Sequence, residues 1–232
     1  EGERQFITAF AQAGVKLDYW WIDAGWYACT DWPQIGTWTP DPVRYPQGFR
    51  PISDLAHSKG MGLIVWFEPE RVTPGTFLYT NNPAWLLGRD GEQKLLNLGN
   101  AQARRWLTDH VDAMLTREGI DFYRQDFNID PLAYWRANDA PDRQGLTEIY
   151  HVMGYLAYWD ELIRRHPDSV RAIASRRSAA IAARKNTGAP PASAGQRRGS
   201  TSPEHILLWP RLEPSLSQNH LTNRLLHEQA VA

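Results

Sequence analysis

One cysteine, almost no net charge and no long apolar run mark this 232-residue chain. The lone Cys29 excludes an internal disulfide and a cysteine-rich metal site. A formal net charge of -1 offers no general attraction to nucleic acid, so none is expected as a partner. No stretch approaches the ~18 apolar residues of a membrane-spanning helix, and no membrane association is expected. No basic leader precedes an apolar run either. The chain opens on Glu1 inside what reads as a helix, so a trimmed start is expected, with any export signal lost with it. The compartment therefore stays open, with the cytoplasm as the default. No His-x-x-x-His or Asp-x-Asp spacing favours a metal, and no glycine-rich turn offers a phosphate cradle. No cofactor is expected.

What is present divides sharply. Residues 1–168 carry 16 Lys/Arg and 23 Asp/Glu, a net of -7, while residues 169–232 carry 9 and 3, a net of +6. Of 27 aromatic residues only Trp209 lies beyond residue 168. The first part reads as a piece of one catalytic domain. The second reads as an aberrant, basic, low-complexity tail, irregular and disordered. Its Ala/Arg/Ser/Pro composition is that of GC-rich DNA read out of frame, so a frame shift near residue 168 is the expectation, against a natural disordered tail.

Before that boundary, helices and strands alternate. A helix over 1–13 stops at Gly14, and Val15 to Asp23 reads as a strand followed by a long Trp/Pro/Gly loop. A short helix follows Pro51, and Met61 to Phe67 is apolar throughout, as strands buried on both faces are. Leu95–Leu98 is a weak strand or an extended connection. Asn100 caps a helix that Gly119 closes, Phe122–Phe127 is a strand, and 146–165 a final helix. Plain helix-to-strand turns with elaborate strand-to-helix loops are expected of a (β/α)8 TIM barrel, of which these strands supply half at most.

Three strand tips carry acids: Asp23, the pair Glu68 and Glu70, and Asp126. Alternation along the third strand puts Arg124, Asp126 and Asn128 on one face. A cation, a carboxylate and an amide at one strand end suit a polyol better than a core. Trp20, Trp21, Trp26, Trp32, Trp38 and Trp66 lie on or just after the first two strands, and indole rings stack on the C–H faces of sugars. Trp26 and Trp66 are the candidates for the site. Trp20 and Trp21 point to opposite faces, so at least one packs against a helix.

Ile22-Asp23-Ala24-Gly25-Trp26, Trp66-Phe67-Glu68-Pro69-Glu70-Arg71-Val72 and Tyr123-Arg124-Gln125-Asp126-Phe127-Asn128 resemble three successive barrel-strand motifs of the melibiase-type α-galactosidases, glycoside hydrolase family 36. The resemblance covers about residues 5–168. It implies a retaining hydrolase that removes terminal α-linked galactose from oligosaccharides or glycoconjugates, and a homo-oligomer in the full-length protein. Asp126 matches the nucleophile, with Arg124 as the cation beside it and Asn128 placed to orient a hydroxyl. Asp23 matches a galactose-binding acid and Trp66 a wall of the sugar pocket, with Trp26 beside them. Glu68 and Glu70 are expected to buttress their strand tip.

Two departures bear on the expectation. Ala24 stands where many members carry a second Asp, which points to a missing hydroxyl contact or to a related α-glycosidase with another sugar preference. Retention needs a second carboxylate about 5–5.5 Å from the first. The Gly/Arg/Asp motif expected after residue 168 is absent, so the acid/base stays unassigned and the chain is expected to be impaired. A carbohydrate-binding pseudoenzyme is the alternative.

Overall fold

The computed structural model describes residues 2–167 and the backbone of the short strand 173–174. The tail expected over 169–232 otherwise lies outside the described residues. In chain order the elements are α1 (Gly2–Gln12), β1 (Tyr19–Ile22), α2 (Arg50–Ser58), β2 (Gly62–Phe67), β3 (Arg71–Val72), α3 (Phe77–Asn81), a 3-10 turn (Pro83–Trp85), β4 (Leu86–Leu87), β5 (Lys94–Leu96), α4 (Ala101–Glu118), β6 (Phe122–Gln125), α5 (Leu132–Asn138), α6 (Leu146–Arg165) and β7 (Ile173–Ala174).

Four strands form one wholly parallel sheet in the order β1-β2-β6-β7. The register puts Trp20 beside Leu63, Ile22 beside Val65, Val65 beside Tyr123 and Phe67 beside Gln125. Every residue of that row is 2% exposed or less. It is the face the helices cover: Trp20 meets Phe10 of α1, and Tyr123 meets Tyr158 and Trp159 of α6. Burying each large apolar side chain there contributes about 1.5–3 kcal/mol. The opposite row runs Trp21, Ile64 and Phe122, then Trp66 and Arg124. Arg124 keeps a quarter of its side chain exposed. One face of the sheet is sealed by helices, and the other carries polar groups toward its C-terminal end.

Helix ends follow the chemistry of their residues. The Asn100 side chain accepts from the Gln102 and Ala103 N–H groups, and Gly119 closes α4 with φ at 66°, in the left-handed region. α6 lies against the Leu98–Gly99 segment so closely that a Cβ on Gly154 would stand 1.9 Å from the Leu98 carbonyl oxygen.

Three expectations are corrected. The first strand starts at Tyr19 rather than Val15, which is 46% exposed. The stretch after β2 is no simple loop: β3, β4 and β5 make a separate antiparallel sheet in the order β3-β5-β4, and α3 lies among them. The expected strand near Leu95 belongs to this small sheet, not to the parallel one. The loop after β6 contains α5, anchored by buried Trp135.

Candidate active site

Asp126 lies one residue past the end of β6. Its N–H donates to the Phe67 carbonyl at 2.8 Å, so the ladder fixes it at the strand tip. Its Oδ2 accepts from Trp66 Nε1 at 3.3 Å and faces Arg124 Nη2 at 3.9 Å, an ion pair longer than a hydrogen bond. Both charged side chains are about a quarter exposed, so a ligand can reach the carboxylate while the cation stays beside it. The Arg124 guanidinium in turn stacks 4.9 Å from the centre of the Trp21 ring, which holds its position. Trp20 and Trp21 thus divide between the two faces, as their adjacency on a strand requires.

Asn128 is exposed beyond Asp126, and its N–H donates to Glu68 Oε1 at 3.1 Å. Glu68 Oε2 accepts from Arg71 at 2.6 Å, so this fully buried carboxylate joins the end of β2 to the loop that follows β6. Burial pushes its pKa up, while Arg71 and the Asn128 contacts pull it down. Glu70 has no exposure at all, and its burial holds its carboxyl well above the usual carboxylate range. Its Oε1 accepts from Gln125 at 2.7 Å, Gln125 accepts from Tyr123, and Tyr123 accepts from Tyr158 of α6. Both glutamates therefore brace strand tips. Asp23 is exposed just past β1, where its Oδ1 accepts from the Ala24 N–H.

The indoles are sorted differently from expectation. Trp26 is 1% exposed, donates to the Trp66 carbonyl at 2.7 Å and packs against Tyr27, Trp38, Phe49 and Phe67. It is a core residue and not a wall open to a sugar, because the surrounding rings leave it 1% exposed. Trp66, 3% exposed, offers its N–H edge to Asp126 rather than a broad open face. Trp32, one of the six indoles weighed in the sequence but not chosen for the site, is 47% exposed. Gln125 was passed over, although strand alternation turns it toward the helices and so demands a buried partner.

A partly exposed carboxylate with a cation and an indole N–H beside it can act as a nucleophile, since both neighbours stabilise its negative charge. The likeness to known proteins bears on the same segment. Alpha-galactosidase Mel36A of Lactobacillus acidophilus is 28% identical over 163 residues, which is 66% of this chain and 22% of that protein. Alpha-galactosidase 1 of Pediococcus pentosaceus is 28% identical over 175 residues, 71% of this chain and 23% of that one. The chain thus spans under a quarter of the length of these curated relatives. Among solved structures, the alpha-galactosidase from Lactobacillus brevis superposes with a TM-score of 0.64 at 21% identity, covering 73% of this chain and 24% of its own. The GH36 alpha-galactosidase AgaB from Geobacillus stearothermophilus gives 0.64 at 21%, covering 75% and 25%. At such identity these superpositions speak to fold alone. The melibiase family model matches residues 3–180, well over half of the chain and including all three acidic strand tips, and the chain belongs to the melibiase family.

Proposed function

We propose that this chain is part of a (β/α)8 catalytic domain of a retaining glycosidase that removes terminal α-linked galactose, with Asp126 as nucleophile. The observation that carries the reading is the setting of Asp126: held at a parallel strand tip, in contact with Trp66 Nε1 and beside Arg124, yet open to solvent. In the proposed reaction the carboxylate attacks the anomeric carbon and displaces the leaving-group oxygen. Water then releases the sugar from the glycosyl-enzyme. Arg124 keeps a positive charge beside the attacking oxygen, Asn128 and Asp23 contact hydroxyls, and the N–H edge of Trp66 fixes the rotamer of Asp126. The family's names for its members, alpha-galactosidases, support the choice of sugar. The second carboxylate, the acid/base, stays unassigned.

The test uses a leaving group that needs little protonation. The protein should release nitrophenol from p-nitrophenyl α-galactoside, and Asp126→Asn should lower the rate on the order of 10⁴-fold. Galactose binding with no turnover by the parent protein would favour the carbohydrate-binding alternative, and faster turnover of another α-glycoside would favour a changed sugar preference, for which Ala24 is the motive. Homo-oligomerisation of the full-length protein remains part of this proposal, and sedimentation of that protein tests it.

A further inference from the structure

One indole at the acidic end of the sheet remains without a role. Trp32 is nearly half exposed, whereas Trp26 and Trp66 are buried. It is nevertheless held in place. Its carbonyl accepts from the Tyr27 hydroxyl at 2.6 Å, its backbone N–H donates to Asp31 Oδ1 at 2.9 Å, and its Cβ stands 3.7 Å from where a Cβ on Gly25 would lie. Gly25 follows Asp23 by two residues, with φ at +87°, a conformation that glycine adopts without strain. The Arg71 guanidinium covers one face of the ring, 5.2 Å from its centre, and Arg71 is bound to Glu68, which accepts the Asn128 N–H. Trp32 is thereby tied to the tips of β1 and β2 and, through Glu68, to the loop that carries Asp126 and Asn128.

We infer that the exposed indole of Trp32 is a stacking platform for the sugar unit attached to the galactose, on its leaving-group side. The inference rests on the proposed glycosidase reading. An enzyme that removes a terminal sugar leaves its substrate one direction in which to extend, from the anomeric oxygen out of the site. A half-exposed indole tied to the tips of β1 and β2, with Arg71 over one face, suits the apolar C–H face of a pyranose there. Trp32 then selects α-galactosides whose leaving group is itself a sugar, without touching the reacting atoms.

Two hydrolysis-resistant probes separate the galactose site from the platform: methyl α-thiogalactoside and a sulfur-linked melibiose, titrated calorimetrically into the protein. Trp32→Ala should weaken the disaccharide about tenfold and leave the methyl glycoside within twofold, and Trp32→Phe should restore most of the loss. Equal losses for both probes, or none for either, overturn the platform and leave the glycosidase reading standing. Failure of both probes to bind the parent protein overturns that reading and the platform with it.

Discussion

At the residue scale the carboxylates divide by environment. Asp126 is reachable and carries its cation at 3.9 Å, whereas Glu70 is sealed away with Gln125 as its hydrogen-bond donor. The Glu70 carboxyl is raised in the fold, so the native state holds its proton at pH values where the unfolded chain has lost it. Its contribution is complete below the usual glutamate range and is lost as pH rises through the folded value. Glu70→Gln, which mimics the protonated acid, should therefore match the parent in urea unfolding at pH 4 and exceed its stability at pH 8. An equal loss at both values would contradict the assignment. His151 runs the other way. It is 3% exposed, with neither ring nitrogen hydrogen-bonded, and burial pushes its pKa down from 6.5 to about 4. The unfolded chain takes up a proton in that window and the fold does not, so stability is complete above pH 6.5 and falls toward pH 4 by about 3 kcal/mol. His151→Phe should flatten the dependence of the urea midpoint between pH 7 and 5, and an unchanged slope would exclude His151 as its source. Alternation of side chains along β6 was enough to separate Arg124, beside Asp126, from the buried Gln125. It could not say which indoles remain open, because the burial of Trp26 depends on Trp38 and Phe49, which lie farther along its own irregular loop.

At the element scale, α4 and α6 were legible in full because their ends are written in local chemistry: Asn100 and Gly119 for one, the His166-Pro167 stop for the other. α3, α5 and the sheet β3-β5-β4 were not. Elements of two to seven residues gain little from their own propensity and form because neighbours bury them. Two substitutions probe these elements. Asn100→Ala removes a cap that serves two N–H groups and should lower stability by about 1 kcal/mol in denaturant unfolding. Gly154→Ala drives a methyl group into the Leu98 carbonyl and should cost more, on the order of 3 kcal/mol, by forcing α6 away from that segment. If Gly154→Ala unfolds at the parent's denaturant concentration, α6 does not lie where it is described.

At the scale of the whole molecule, the parallel sheet leaves the outer edge of β1 without a strand partner among the described residues. Ile149, Tyr150, Met153 and Ile163 leave an apolar stripe of α6 exposed. Open edges and apolar helix faces promote association, so the isolated chain should self-associate and elute ahead of a monomer in size-exclusion chromatography with light scattering. A monodisperse monomer with a sharp thermal transition would contradict this. The change of charge at residue 168 was plain in composition, and a frame shift in the gene is the proposed cause, against a natural tail. Reading the encoding DNA in the two other frames should yield a Gly/Arg/Asp motif and further strands, and their absence from both frames removes the frame-shift account. The role of Asp126 can be tested apart from the missing acid/base, because fluoride departs without protonation. The protein incubated with α-galactosyl fluoride and digested should give a galactosyl adduct on the peptide containing Asp126, absent from Asp126→Ala. An adduct on another carboxylate, or identical spectra from both proteins, would contradict the assignment of Asp126 as the nucleophile.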